Sequence, residues 1–307
     1  MSDGSGLRWA RAPASSANLG PGFDVLALAW SLYVEVGVEP AASLSVRCTG
    51  EGSALAAGAT HLAARVACAV AGHDRLAITV RSDIPPARGL GSSGALALAA
   101  AAAAGASDPL AVAAGVEGHV ENVAASAAGG LVSATLDGGR IRVARHPLDP
   151  ALRFLVVVPD RELETEAARA VLPPVVDRAV ATFNLGRMAA LLAGLGDASQ
   201  LDPTAFQDRL HQDARAGLYP EAAPLISAMT SAGALGACWS GAGPSVLAVT
   251  VESSREPVLA AARAELAHLG LPGTVRELEP ARAGLMVRTT TATRWGPEGP
   301  PGLRSPG

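Results

Sequence analysis

The sequence predicts a two-domain α+β fold, on three observations. Its 307 residues suit two domains of about 100–200 residues each. Stretches that alternate apolar and polar residues, the mark of a strand, interleave with helix-forming runs along the whole chain. Near the middle, His146-Pro147-Leu148-Asp149-Pro150 breaks the pattern, and a fresh apolar strand follows it. The expected units are residues 1–150, residues 151–288 and a tail, 289–307. Pro297, Pro300, Pro301 and Pro306 among glycines give that tail the composition of a disordered segment.

The elements follow in order. Arg8–Pro13 enters as a strand, a small-residue loop covers Ala14–Asp24, and Val25–Leu28 is apolar again. Tyr33–Val38 and Leu44–Cys48 alternate like paired strands. His61–Ala71 has a helical period, Leu76–Val80 reads as a strand, and Ala95–Ala104 is the strongest helix former in the chain. Asp108–Val116 is a further helix. Leu131–Leu136 and Arg140–Ala144 flank Asp137-Gly138-Gly139, a hairpin signal. Phe154–Val158 opens the second unit and runs into an acidic helix start, where Thr165 and Arg169, four apart, share a face. Ala179–Leu195 is a long helical segment. A glycine turn at Gly236–Ser245 feeds the strand Val246–Val251, Pro257–Leu269 is helical, and Leu285–Arg288 is a last strand.

Composition narrows the function. With 49% hydrophobic and 17% charged residues the chain can bury a core, and with 3% aromatics that core must be Ala, Val and Leu. A net charge of −4 and no basic block argue against nucleic acid as a partner. Cys48, Cys68 and Cys238 lack metal-ligand spacing and read as reduced core residues. The first residues lack the apolar run of a signal peptide, and Ala95–Ala104 is half of the ~20 residues a membrane span requires. A soluble, cytoplasmic protein with no membrane partner is expected.

The most informative stretch is Ile84–Ala95. It lies between a strand and an alanine-rich helix, so its glycines and serines occupy a helix N-terminus, where free N–H groups and the helix dipole attract anions. Glycines let the backbone close on a polyphosphate, a spare serine hydroxyl can reach a metal-bound phosphate, and Arg88 adds a positive charge. The chain contains no lysine, so a Walker loop is excluded. Gly89–Gly94 fits G-x-G-x-x-G, yet Asp83–Arg88 separates it from the strand and a second helix follows, the wrong context for a dinucleotide fold. The stretch reads as a nucleotide-phosphate loop.

Pro85-x-x-x-Gly89-Leu90-Gly91-Ser92-Ser93 resembles the phosphate loop of the GHMP small-molecule kinases. Pro13-Ala14-Ser15-Ser16-Ala17-Asn18-Leu19-Gly20-Pro21-Gly22-Phe23-Asp24 is similar to the substrate motif of the homoserine kinases within that family. Glu117-Gly118-His119-Val120-Glu121-Asn122-Val123-Ala124 resembles their Glu-Gly-His-Pro-Asp-Asn-Val-Ala, with Val120 for proline and Glu121 for aspartate. Thr165-x-x-x-Arg169 followed by Leu172-Pro173, the string Phe183-Asn184-Leu185, and Ser240-Gly241-Ala242-Gly243-Pro244-Ser245 match as well. Leu210-His211-Gln212-Asp213-Ala214-Arg215 resembles Leu-His-Gln-Pro-Tyr-Arg with two replacements.

The resemblance implies an N-terminal domain like ribosomal protein S5 domain 2 and a ferredoxin-like C-terminal domain. It implies phosphorylation of the L-homoserine side-chain hydroxyl from ATP and Mg²⁺, a step of threonine biosynthesis, by a homodimer. Pro85, Pro86, Arg88, Gly89, Leu90, Gly91, Ser92, Ser93 and Gly94 would hold ATP, and Ser92, Ser93 and Glu117 would hold Mg²⁺. Arg169 and Arg215 suit the acceptor's carboxylate. Asp24 and Glu121 suit its ammonium, and Asn18, His119 and Thr165 complete the acceptor site. Asn18, Asp24, Glu117 and His119 are the residues expected at the reacting atoms, with no base assigned. Two other readings stay open: a relative whose acceptor has drifted to another hydroxy amino acid such as threonine, and a non-catalytic ligand-binding regulator.

Overall fold

The computed structural model describes residues 7–54 and 58–289. The tail expected to be disordered lies, from residue 290 on, outside them. The first unit runs β1 (Arg8–Asn18), β2 (Gly22–Pro40), β3 (Ser45–Gly50), α1 (Leu62–Ala71), β4 (Leu76–Ser82), α2 (Ser92–Ala103), α3 (Pro109–Glu117), α4 (Glu121–Ala128), β5 (Leu131–Asp137) and β6 (Arg140–His146). The second runs β7 (Leu152–Pro159), α5 (Thr165–Ala170), α6 (Arg178–Gly196), α7 (Gln212–Arg215), α8 (Ala222–Ser231), β8 (Gly236–Trp239), β9 (Val246–Val251), α9 (Glu252–His268), β10 (Gly273–Glu277) and β11 (Met286–Thr289).

Seven strands form the first sheet, in the order β11-β1-β2-β4-β3, with β5 beside β2 and β6 beside β5. The expected pairing of Tyr33–Val38 with Leu44–Cys48 does not occur. Instead β4 lies between them, antiparallel to β2 (Val36 opposite Val80) and parallel to β3 (Cys48 opposite Val80). Alternation identifies a strand but carries no information about its neighbour. The chain also departs from the simple division at 150 and 288. It crosses from β6 to β7 at the expected place, but β11 returns to the first sheet and pairs with β1.

α2 packs on β1 and β2 and is flanked by α1, α3 and α4. Nine of its twelve residues are buried, seven of them between Gly94 and Ala101. A helix that is apolar all round must be enclosed, and alanine is the side chain that lets five neighbouring elements approach it closely. Its position matters for function, because its N-terminus is where the phosphate loop ends.

The second sheet is antiparallel, in the order β10-β7-β9-β8. Numbered within the unit this is 4-1-3-2, the ferredoxin-like arrangement. Phe154, Val156 and Val158 of β7 face the core shared with the first sheet, while Leu155 and Val157 face α8 and α9. Burial on both faces explains why Phe154–Val158 is continuously apolar. Trp30 of β2 meets Phe154 at 5.2 Å between ring centroids. Burying one such indole contributes roughly 4–6 kcal/mol. Among the described helices α6 alone is long and apolar enough, by length and composition, to cross a bilayer. In this fold it buries Asn184, Leu191, Gly194 and Leu195 against the protein.

Candidate active site

A cavity of about 480 Å³ opens between the two sheets' ends, lined by residues from the β1–β2 turn, the phosphate loop, the α3–α4 junction, α5 and the Ser240 loop. The β1–β2 turn is under backbone strain. Asn18, Leu19 and Asp24 have φ of 71°, 48° and 56°, in the left-handed region. Asn18, buried, holds the turn shut. Its Oδ1 accepts from the Asp24 N–H (3.0 Å), and its Nδ2 donates to the Gly241 carbonyl (2.9 Å).

The loop from Pro86 to Ser93 lines the cavity and ends on the first turn of α2. Gly89 and Gly91 have φ of 70° and 65°. A Cβ on Gly89 would overlap the Ser240 carbonyl oxygen, and one on Gly91 would overlap the Ser15 hydroxyl. Both positions require glycine for two independent reasons. Ala87, at φ 53°, shares the strain. Arg88 borders the cavity, but its guanidinium donates to the carbonyls of Pro86 (3.1 Å) and Asp160 (2.7 Å) and pairs with Glu162 (3.2 Å). It straps the loop to the second unit rather than standing as a bare positive charge.

The turn between α3 and α4 brings three titratable groups to the cavity. Ser93 donates to Oε2 of Glu117 at 3.0 Å. Nε2 of His119 lies 3.8 Å from the same oxygen, and its Nδ1 lies 3.2 Å from Oε1 of Glu121, a close ion pair out of line for a hydrogen bond. Burial pulls the His119 pKa down, but the contact with Glu121 and the charges of Glu121 and Glu117 outweigh it, and the net shift is upward. Glu121 is 2% exposed, and its Oε2 has no hydrogen-bond partner among the described residues. Such an oxygen is costly unless a ligand satisfies it.

Two arginines face these acids. Arg169 pairs bidentately with Asp24, at 2.5 and 2.9 Å. The resemblance assigns these two residues to opposite ends of an acceptor; here, with no ligand between them, they hold each other. The pair is about one-third exposed, so it contributes about 1 kcal/mol or less and is easily exchanged. Arg215 is buried. It donates from Nε to the Ala168 carbonyl (3.0 Å) and from one terminal nitrogen to Nδ1 of His211 (3.0 Å). Burial, with Arg169 nearby, lowers its pKa to about 10, so it stays charged at neutral pH. His211 must therefore accept at Nδ1 and carry its proton on Nε2, which donates to the Gly20 carbonyl at 2.8 Å. Burial lowers the His211 pKa to about 4 and keeps it neutral. Phe23 stacks on this imidazole, 5.2 Å between centroids.

Asn18, Asp24, Glu117, His119, Glu121, Thr165, Arg169 and Arg215 all line one cavity with Pro86, Arg88, Gly89, Leu90, Gly91, Ser92 and Ser93. Pro85 and Gly94 do not. Pro85 is buried behind the loop, and Gly94 faces inward, where a Cβ would press on Val123 at 3.2 Å and approach Glu117 at 3.6 Å. The absence of a side chain at Gly94 leaves room for Val123 and Glu117. Sequence reasoning passed over Asn122, which lines the cavity and accepts from Ser15 at 2.9 Å. Its signal was its place beside Glu121 in the quoted motif. His211 was legible in the same way, beside Arg215. Thr60, His61 and Leu62, which close one end of the cavity with Leu96, had no such signal, because only folding brings α1 to α2.

Known proteins are similar to this chain in architecture and in sequence. Residues 54–130 match the GHMP kinases N-terminal domain, and residues 183–268 match the GHMP kinases C-terminal region. The chain is 37% identical over 293 residues to a homoserine kinase of Moorella thermoacetica, covering 90% of this chain and 98% of the relative. The chain belongs to the GHMP kinase family. A homoserine kinase of Streptomyces avermitilis is 39% identical to this GHMP kinase over 266 residues, 81% of this chain and 87% of that one. The crystal structure of homoserine kinase from Cytophaga hutchinsonii superposes on it with a TM-score of 0.79 at 25% identity, over 94% of this chain and 99% of that one. Family membership makes the chain an ATP-using kinase with a small-molecule hydroxyl acceptor.

Proposed function

We propose that this kinase transfers the γ-phosphoryl group of ATP to the side-chain hydroxyl of L-homoserine, forming O-phospho-L-homoserine for threonine biosynthesis. The observation that carries the proposal is one cavity in which the Ser93–Glu117 pair at the start of α2 faces the acidic and basic groups suited to an amino acid. No group of three or more His, Cys, Asp or Glu side chains that could hold a metal occurs among the described residues. One carboxylate and the two neighbouring serine hydroxyls are nevertheless a set that suits Mg²⁺, which keeps water and takes its remaining oxygens from phosphates. ATP supplies the phosphoryl group and Mg²⁺ neutralises its charge. Glu117, Ser93 and Ser92 would hold the metal, and the glycine cradle from Pro86 to Ser93 would hold the phosphates.

The residues around the acceptor bind and orient it. Arg215, charged and aimed by neutral His211, meets the carboxylate, together with Arg169 once it leaves Asp24. Asp24 then turns to the ammonium, with the unsatisfied Oε2 of Glu121. An incoming zwitterion supplies both charges at once, so the Asp24–Arg169 pair can open without stranding either partner. Thr165, Asn18 and His119 complete the walls. Phosphoryl transfer depends mainly on such positioning, and no residue is needed as a strong base. We further infer a homodimer working in the cytoplasm, where ATP is supplied and the free thiols of Cys48, Cys68 and Cys238 stay reduced.

Coupled ADP release with Mg·ATP and a panel of L-homoserine, L-threonine, L-serine, mevalonate and galactose tests the proposal. Turnover with homoserine alone, abolished by Arg215→Ala or Asn18→Ala, is the expected result. Turnover with a different amino acid would move the substrate and point to Glu121. Tight ATP binding without turnover on any acceptor would leave a regulator.

A further inference from the structure

Behind the phosphate loop runs a buried chain of hydrogen bonds that the acceptor chemistry does not use. Nε1 of Trp30 donates to Oγ of Ser16 at 2.7 Å, the hydroxyls of Ser16 and Ser240 are 2.6 Å apart, and Ser240 donates to the Gly89 carbonyl at 2.6 Å. Trp30, Ser16 and Ser240 are all 0% exposed, so no solvent can replace a missing member. An indole N–H only donates and a carbonyl only accepts, while each serine has a single proton. The two ends therefore set the direction of the whole chain. Ser240 gives its proton to Gly89, and Ser16 gives its own to Ser240.

The consequence is felt on the other side of the peptide plane. In a trans peptide the N–H points opposite to the C=O. With the Gly89 carbonyl drawn back to Ser240, the Leu90 N–H turns away from the buried serine, towards the cavity side. The Leu90 carbonyl is drawn back likewise, by the Ser15 N–H at 3.0 Å, which turns the Gly91 N–H the same way. Gly89 has no Cβ to resist rotation, so an external restraint has to hold this plane.

We propose that Ser240 is a positioning residue for the nucleotide: its hydroxyl, oriented by Ser16 and Trp30, holds the Gly89–Leu90 peptide with its N–H towards the bound phosphates. This rests on the assignment of residues 86–93 to ATP, and the experiment separates the two. Initial rates of wild type and Ser240→Ala are measured with ATP and homoserine each varied, with inorganic tripolyphosphate as a competitor of ATP. The KM for ATP and the inhibition constant of tripolyphosphate should both rise about tenfold, as for one lost hydrogen bond. The KM for homoserine should stay within about twofold. Ser240→Thr, which keeps the hydroxyl, should restore both constants. If the added methyl prevents folding, Ser16→Ala serves instead and should shift the same two constants in the same direction, by less. Unchanged ATP and tripolyphosphate constants in a folded Ser240→Ala enzyme overturn the role of Ser240 alone. A parallel rise in both KM values with a lower Tm overturns it too, as mere structural damage. Failure of the wild type to saturate with ATP overturns the loop assignment and the inference with it.

Discussion

At the scale of single residues, the site works through pairs whose partners are exchangeable. Asp24 and Arg169 bind each other in a setting about one-third exposed, where the pair is worth about 1 kcal/mol or less. Asp24→Asn is expected to raise the KM for homoserine at least tenfold and leave the KM for ATP unchanged, as measured by varying each substrate in turn. Arg215 has no such freedom, because Ala168, His211 and Gly241 all bind it. Its imidazole partner carries a pH signature. The folded His211 pKa is lowered to about 4, below the ~6.5 of an exposed imidazole. Between those values the unfolded chain binds the extra proton, so stability falls as pH drops through the window, by about 2–3 kcal/mol near its lower end. Urea unfolding at pH 7 and pH 4.5 should show that loss in the wild type and less of it in His211→Asn. His119 runs the other way. Its pKa is raised, so the stability it adds is complete below the unfolded value and fades as pH rises through the folded one.

At the scale of elements, the phosphate loop and α2 form one device. The helix needs no polar cap of its own: Gly91 stands at its N-cap in the left-handed region with no side-chain hydrogen bond. The N–H groups of its first turn are then available to an anion. Gly89→Ala adds a Cβ that overlaps the Ser240 carbonyl oxygen at a φ of 70°. That change should weaken ATP binding by about one to two orders of magnitude in a nucleotide titration, while far-ultraviolet circular dichroism stays that of the wild type. The loop is also anchored at Leu163, whose N–H donates to the Ala87 carbonyl at 3.2 Å, and through Arg88 at Asp160. Both anchors lie in the segment between β7 and α5, so the second unit holds the loop.

At the scale of the whole molecule, the two sheets share a core and a strap. Trp30, Leu28 and Val36 of the first belong to one apolar cluster with Phe154, Val156 and Leu247 of the second. After β10 the chain turns back. Leu278 donates to Phe154, Ala281 to Ala29 and Leu285 to Ala127, and β11 completes the first sheet. Neither half can open without tearing the other's backbone pairing, so a single cooperative transition is expected. Trp30 and Trp239 report on different sheets. Variants that keep only one of them among the described tryptophans should melt at coincident midpoints, and midpoints several degrees apart would refute the coupling.

The nature of most elements and the place of the glycine-serine loop were legible in the sequence, because they depend on neighbours along the chain, while the family resemblance named the acceptor residues that one cavity brings together. Alternation marked β4, a continuous apolar run marked β7, a glycine turn marked the start of β9, alanine marked α2, and a run of glycines and serines between strand and helix suggested an anion site. What needed the tertiary structure was every relation between distant segments. It decided that β4 separates β2 from β3, and that β11 rejoins β1. It showed Arg88 bound to Asp160 and Asp24 bound to Arg169, and it put Ser240 behind Gly89. Local propensity acts over a few residues, whereas hydrogen bonds and ion pairs across 72, 145 and 151 positions form only when the collapse of a shared core brings their partners together.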